Sequence, residues 1–259
     1  MTDTDHQSLI LDQFTRQATL FSTAAPITNE DALRMIIEAA GPGPGDTVLD
    51  VACGGGIVVC AFAPHVRQAT GIDVTPAMLE QARQLAAQKG LANVAWRHGD
   101  VGALPYADGS FTIVVTRFAF HHFVDPLAVL REMVRVCASG GRIVVVDTCA
   151  SENPAKAAEF NRLEKLRDPS HACNLTLTEL KGLFAQVGLP APEERFYELR
   201  DEVRNLLARS FPNPGDDVRI VEMFEASAAD DRLGIPVRLD GDTIHYAYPV
   251  TILAAQRPN

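Results

Sequence analysis

Basic residues are in short supply in this 259-residue chain: 23 Lys and Arg stand against 33 Asp and Glu, a formal net charge of −10. Affinity for a phosphate backbone comes from Lys and Arg displacing counterions, so the deficit argues against nucleic acid as a partner. Small neutral or cationic molecules remain open. Cysteine is sparse as well. Cys53, Cys60, Cys137, Cys149 and Cys173 are odd in number and show neither C-x-x-C spacing nor a Cys/His knuckle, which leaves a disulfide framework or a metal site without support. Free thiols, buried or half-buried, and no metal are expected. No apolar run reaches the roughly 18 residues of a membrane-spanning helix, and the opening MTDTDHQSLILDQF carries Asp3, Asp5 and Asp12 where a secretion signal would be basic. A cytoplasmic protein without a membrane span is the expectation. Repeats and low-complexity tracts are absent too. What is present is an ordinary globular composition, 47% hydrophobic and 22% charged, enough for one large α/β domain or for up to two smaller ones.

From Asp46 to Thr148, short β-rich apolar runs alternate with helical patterns, the signature of parallel βαβ units. Expected strands cover Thr47 to Ala52, Ala69 to Val74, Val94 to Arg97, Phe111 to Thr116 and Arg142 to Asp147. Helices are expected at Ile57 to Ala63, Pro76 to Lys89 and Pro126 to Cys137, with Pro76 and Pro126 in the first turn and Gly90 and Gly140 after helix ends. The strands are nearly continuous in Val, Ile and Leu, as a sheet covered on both faces requires. Ahead of this core, Leu9 to Phe21 and Asn29 to Ala40 read as helices, making residues 1–45 a helical cap on a domain of residues 46–259. The run GPGPG at 41–45 is the hinge between them. After the core come a helix from Pro154 to Leu166, broken by Pro169 in RDPSH, and another from Thr178 to Val187. Two β-like runs end the chain, Arg195 to Leu199 and Ile244 to Ala254, with mainly helical residues 201–229 between them. They suggest a sheet edge finished by a non-sequential antiparallel strand.

The strongest chemical signal is VLDVACGGG at 48–56, an apolar strand running into Gly54, Gly55 and Gly56 and then into a helix. Glycines there let the backbone approach a ligand and leave the unpaired N–H groups of the helix facing it. A dinucleotide loop reads G-x-G-x-x-G; this one reads D-x-A-x-G-x-G. Asp50 would repel a pyrophosphate but can orient an ammonium group, directly or through water. About 20 residues further on, GIDVT places Asp73 at the next strand tip, where an acid accepts both hydroxyls of a ribose. HGDV places Asp100 at the third tip, suited to an exocyclic adenine amine, with the Val101 N–H facing the ring. Three acids at carboxyl ends of parallel strands converge where open α/β sheets bind ligands.

The chain resembles the class I S-adenosylmethionine-dependent methyltransferases, in particular the small-molecule group called methyltransferase type 11, which includes the ubiquinone and menaquinone C-methyltransferases. The matching residues are DVACGGG (50–56), GIDVTPAMLEQAR (71–83), GDVGALPYADGSFTIVV (99–115), FAFHHFVDPLAVLREMVRVCASGGRIVVVD (118–147) and YPVTILAAQRP (248–258). The family prefers Gly where Ala52 stands. The resemblance implies an α/β, Rossmann-like sheet of seven strands with the last antiparallel, carrying helical additions at the N-terminus and between the last two strands. It implies S-adenosyl-L-methionine as cofactor, S-adenosyl-L-homocysteine as product, and methyl transfer to a small-molecule acceptor. Cofactor contacts are expected from Asp50, Ala52, Gly54, Gly56, Asp73, Val74, Met78, Asp100, Val101, Arg117, Phe118 and His122.

Methyl transfer is an in-line displacement, so the protein must align the acceptor, exclude water and, for an acidic O, N or C acceptor, remove a proton. TRFAFHHF at 116–123 follows the fourth strand and should face the sulfonium. His121 and His122 are base candidates because unperturbed imidazole titrates near pH 6.5, although such a residue also serves simply to pack on the cofactor. Arg117 is placed for the methionine carboxylate or an acidic acceptor. RDPSH gathers Arg167, Asp168 and His171, a fork donor, an acid and an imidazole, in the insertion of residues 150–180, expected from the resemblance to line the acceptor pocket, with Arg167 and Asp168 on the substrate and His171 a further catalytic candidate; Asp-Pro-Ser is equally good turn chemistry. Residues 200–240, with Phe211, Met223 and Phe224, offer a lid or a homodimer face, against the plainer alternative of core. The resemblance also brings Phe14, Arg16, Gln17 and Phe21 of the first helix over the cofactor, with Phe14, Arg16 and Phe21 expected to touch the acceptor. A nicotinamide-dependent oxidoreductase and a non-catalytic S-adenosylmethionine binder are the competing alternatives, the first disfavoured by Asp50 and the missing third fingerprint glycine.

Overall fold

In the computed structural model, which describes residues 3–259, the alternating segments form β1 (Thr47–Val51), β2 (Gln68–Asp73), β3 (Val94–His98), β4 (Phe111–Arg117) and β5 (Cys137–Thr148). Three further strands follow, β6 (Glu193–Glu202), β7 (Val237–Asp240) and β8 (Thr243–Gln256). The sheet order is β3-β2-β1-β4-β5-β8-β6, with β7 pairing β8 off the main path. β8 runs antiparallel to both β5 and β6, Val145 facing Leu253 on one side and Tyr197 facing Val250 on the other. This is the expected seven-stranded sheet with its last strand inserted in reverse. β7 is an addition: Asp240 pairs with Thr243 across a turn in which Gly241 has φ 57°, so the stretch before β8 ends as a hairpin.

Helices α1 (Asp3–Thr23) and α2 (Glu30–Ala40) precede the sheet; α3 (Ile57–Phe62), α4 (Pro76–Gln88), α5 (Pro126–Val136), α6 (Pro154–Arg167) and α7 (Leu177–Gln186) connect it. α8 (Val203–Ala208) and α9 (Asp216–Asp230) lie between β6 and β7. Successive strand residues point to opposite faces and feed two cores. Val48, Val144 and Val146 pack with Ile36, Phe62, Phe160 and Phe224 on one side. Leu49, Ile143 and Val145 pack with Leu130, Met133 and Phe184 on the other. Each such burial stabilises the fold by about 1.5–3 kcal/mol. Phe224 is fully buried and Met223 nearly so, so the helices between the last strands belong to the core on this face.

Local signals set the element ends. Asn29 caps α2 by accepting the Ala32 N–H, and Gly41 closes it in the left-handed region with φ 60°. Thr176 and Glu179 form a reciprocal capping box at α7. α1 begins well before Leu9 because its first turns have a partner: the His6 ring donates through Nε2 to the His122 carbonyl at 2.8 Å. Gly140 does have φ 72°, but α5 ends earlier, and the glycine sits inside β5, where its N–H meets the Arg257 carbonyl at 3.0 Å. Of the five free thiols, four are buried and Cys173 is exposed. Among the described residues no helix is long and apolar enough to cross a membrane.

Candidate active site

Strand order reverses between β1 and β4, and the loops leaving β1, β2, β3 and β4 there line a cleft of about 460 Å³, roofed by His6, Phe14 and Phe21 of α1. That volume lies in the range of small-ligand sites. Of the glycine loop, Ala52 and Gly54 line the cleft. A Cβ built on Gly54 would come no nearer than 3.9 Å to Met78 Sδ, so bare backbone faces the space. Gly55 and Gly56 serve packing: a Cβ on Gly55 would lie 2.1 Å from Ser22 Oγ of α1, and one on Gly56 2.5 Å from the Trp96 ring. The expected contact from Gly56 is therefore replaced by close seating of α3 against β3. Ala52 holds φ 58°, a left-handed conformation that costs an L-residue roughly 1–2 kcal/mol. Ala52→Gly is expected to raise unfolding free energy by up to about 1 kcal/mol, after the entropy cost of glycine, in urea titrations.

Asp73 lines the cleft from the tip of β2. Its Oδ2 accepts the Gly54 N–H and its Oδ1 the Thr75 N–H, both at 2.8 Å, leaving each oxygen a lone pair for a ligand. Burial raises its pKa, and the two backbone donors oppose the rise. Asp100, from the tip of β3, also lines the cleft; its Oδ1 accepts the Gly102 N–H at 2.8 Å. Val74, Met78 and Val101 line the same space. Arg117 and Phe118 close it from β4, with Phe118 in the left-handed region at φ 55° and the guanidinium 4.5 Å from its ring centroid. Arg117 spends one nitrogen on the Ile27 carbonyl at 2.8 Å, while Nε and Nη2 are buried without partners. Asp50 lies behind the loop, not in the cleft wall. It is almost fully buried with Oδ1 unpartnered, and its pKa is driven well up by burial and by Asp73, with Arg117 opposing.

A smaller cavity of about 70 Å³ adjoins the cleft and shares Phe14, Phe21, Phe118 and His122 with it. His121, Arg167 and Asp168, expected from sequence, line this inner cavity; Gln17, Glu164, Arg209, Tyr246 and Tyr248 join them. His121 Nδ1–H donates to Asp147 Oδ1 at 2.6 Å, and the His121 backbone N–H to Oδ2 at 3.1 Å. Burial disfavours the imidazolium, but Asp147 more than compensates and the His121 pKa is raised. His122 stacks edge-on to Phe14 at 4.9 Å and gives Nδ1 to the Ser170 carbonyl at 3.2 Å; burial and the neighbouring His121 lower its pKa. The two adjacent imidazoles are thus driven in opposite directions, the arrangement that separates a proton acceptor from a neutral neighbour.

Arg167 forks onto Glu164, with Nη2 to Oε2 at 2.6 Å, and Tyr248 donates to Glu164 Oε1 at 2.6 Å. Asp168 accepts from Ser170 and from Gln17 of α1, the latter at 3.2 Å, tying the roof to the inner cavity. Besides Asp50 and Gly56, two expected site residues fall elsewhere. Arg16 points outward, pairing with exposed Asp12 at 3.3 Å and lying 4.3 Å over the Phe211 ring, because it is on the opposite face of α1 from Phe14 and Phe21. His171 lines neither cavity. Its Nε2–H donates to Asn161 Oδ1 at 2.8 Å and fastens residues 168–174 to α6, and burial holds its pKa low. Glu164, Arg209, Tyr246 and Tyr248 escaped sequence analysis because they come from α6, the turn after α8, and β8, and only the antiparallel insertion of β8 brings them together. Asp147 carried a signal, an acid ending the fifth strand of the βαβ series.

Comparison with known proteins agrees with this architecture. The family profile described as "Methyltransferase domain", type 11, matches residues 49–145, from the first strand to the fifth. The uncharacterized methyltransferase YcgJ of Bacillus subtilis (strain 168) is 35% identical over 172 residues, 66% of this chain and 68% of its own. The uncharacterized protein YafE of Escherichia coli (strain K12) is 34% identical over 169 residues, 65% of this chain and 81% of its own. The crystal structure of the B. subtilis YcgJ protein superposes with a TM-score of 0.83 at 28% identity, covering 89% of this chain and 100% of that one. Fold and cleft thus define a class I S-adenosylmethionine-dependent methyltransferase. Within that class the chain belongs to the type 11 methyltransferase domain family.

The cleft residues fit S-adenosylmethionine: spare lone pairs on Asp73 suit the hydroxyls of a ribose, the open backbone at Gly54 admits close approach, and the two unpartnered Arg117 nitrogens suit a carboxylate.

Proposed function

We propose that this methyltransferase acts on a small-molecule acceptor whose reacting end occupies the inner cavity, with His121 as general base and Asp147 as its positioning partner. Bound S-adenosylmethionine supplies an electrophilic methyl group. The observation that carries the proposal is the shared wall: Phe14, Phe21, Phe118 and His122 border both spaces, and His121 lies on the inner one alone. Asp147 fixes the His121 proton on Nδ1, which leaves Nε2 as acceptor for a proton from the methyl-receiving atom. Phe14 and Phe21, with α1 anchored by His6 and Gln17, shield the junction from water. A net charge of −10 and an interior site reached beneath a helix favour a small metabolite over nucleic acid.

Purified protein is expected to bind S-adenosylhomocysteine by isothermal titration and to turn over S-adenosylmethionine only when fractions of a metabolite extract are added. Binding with no fraction-dependent turnover across the extract would leave a non-catalytic binder. Absence of binding would remove the cofactor assignment itself.

A further inference from the structure

The inner cavity has a chemical sign that its charge count hides. Its two arginines are balanced by carboxylates: Arg167 against Glu164, and Arg209 against Asp201 at 2.6 Å. What is unbalanced is hydrogen-bonding capacity. Of the four carboxylate oxygens in the cavity wall, three accept twice and only Asp168 Oδ2 accepts once. Glu164 Oε1 accepts from Tyr248 and from Arg167 Nε, and Oε2 accepts from Arg167 Nε and Nη2. Asp168 Oδ1 accepts twice from Ser170, and Oδ2 accepts from Gln17.

The donors are not used up. Arg167 commits Nε and Nη2 but leaves Nη1, with both its protons, free of any protein partner. Arg209 holds Nη1 beside Asp201 Oδ2 as an ion pair without an aligned hydrogen bond, and makes only a long 3.4 Å contact from Nη2 to the Tyr246 hydroxyl, whose own proton has no acceptor. Against these, the side-chain acceptors of the wall that take no donor are neutral ones, the Gln17 carbonyl oxygen and His121 Nε2. A guest that brings only donors, such as an ammonium, would meet neutral acceptors and a single remaining carboxylate lone pair, on Asp168 Oδ2. A guest that brings acceptor oxygens would meet unsatisfied, charge-assisted donors, each such bond stronger than a neutral one.

From this excess of donors we infer that the inner cavity is the oxyanion subsite of the acceptor, and that the enzyme methylates a small carboxylic acid, its carboxylate docked on Arg167 and Arg209. The inference rests on the proposal that this cavity receives the acceptor. Size limits the class further. About 70 Å³ accommodates only a handful of water-sized groups, since one needs roughly 10–15 Å³. That holds the carboxylate of a short acid together with its methyl-receiving atom, with any longer body reaching back between Phe14 and Phe118 toward the cleft.

The test is ligand-observed saturation-transfer NMR on the protein saturated with S-adenosylhomocysteine, using acetate and pyruvate against acetamide and methylammonium. The two acids are expected to bind, acetamide at least tenfold more weakly, and methylammonium not at all. Arg167→Lys keeps a charge for Glu164 but loses the fork, and is expected to weaken acetate binding tenfold or more; Arg209→Lys is expected to do the same from the other wall. S-adenosylhomocysteine affinity in each variant serves as the folding control and should stay at the wild-type value. Acetamide binding as tightly as acetate, preference for methylammonium, or no acid binding by cofactor-loaded wild-type protein overturns the inference. So does undiminished acetate binding in a folded Arg209→Lys protein. Failure of S-adenosylhomocysteine itself to bind refutes the cofactor-cleft assignment instead, and the two failures are read in separate titrations.

Discussion

Asp73→Ala is expected to weaken S-adenosylhomocysteine binding by two to three orders of magnitude, the largest loss from any single change in the cleft. Two charge-assisted bonds to the ribose hydroxyls at about 1.5–3 kcal/mol each set the scale, and about 3–4 kcal/mol corresponds to that range of affinity. The carboxylate also organises the protein. It accepts the Gly54 and Thr75 N–H groups, so its removal leaves two backbone donors of the glycine loop without partners even before ligand arrives. Asp73→Asn separates the contributions: one amide oxygen can keep one N–H, while its NH₂ opposes the other. An intermediate loss of roughly one to two decades is expected for it. The check is calorimetric titration beside denaturant unfolding, since loss of loop order lowers stability as well as affinity. Wild-type affinity in Asp73→Ala would move the ribose elsewhere and take the cleft assignment with it.

Asp73 was legible because its evidence is local. A strand tip, a fixed offset from a glycine loop and a helix-opening Pro76 all lie within one βαβ unit, and parallel strands bring successive tips to one end of the sheet. The same holds for Gly54, Asp100 and Arg117, which line the cleft as the motif order implies. Asp50 shows the limit. Its position in the motif identifies it, but only packing reveals that it lies behind the loop at 1% exposure. Helical phase decided Arg16 against Phe14 and Phe21: a two-residue offset along α1 puts its side chain on another face. His171 was misplaced for a related reason. The RDPSH turn is tight, Asp168 and Ser170 bonding across it, and so its polar side chains diverge: Arg167 and Asp168 into the cavity and His171 into Asn161. Glu164, Tyr246 and Tyr248 required knowing that β8 inserts between β5 and β6 over α6, a long-range pairing without a local code.

Asp147→Asn is expected to lower kcat by about two to four orders of magnitude while leaving S-adenosylhomocysteine affinity within a few fold of wild type, if His121 removes the proton as proposed. The carboxylate holds the imidazole by two bonds, one to Nδ1 at 2.6 Å and one to the backbone N–H at 3.1 Å. An asparagine can turn its NH₂ toward Nδ1, which shifts the ring proton to Nε2 and blocks the nitrogen that must accept. The pH profile distinguishes this from damage to packing. A base works when neutral, so the wild-type rate should climb as pH rises through the raised His121 pKa; without Asp147 the inflection should move to lower pH while the plateau falls. Stability has the opposite slope. A raised folded-state pKa contributes stability that is fully present below about 6.5, the value in the unfolded chain, and is lost as pH rises through the folded value. The wild type should therefore exceed Asp147→Asn in stability by more at pH 6 than at pH 9, to be read by urea titration at both. An unchanged inflection together with an unchanged plateau would make His121 a packing residue beside the methyl donor, and proton removal would then have to come from the acceptor's own chemistry or not be needed at all.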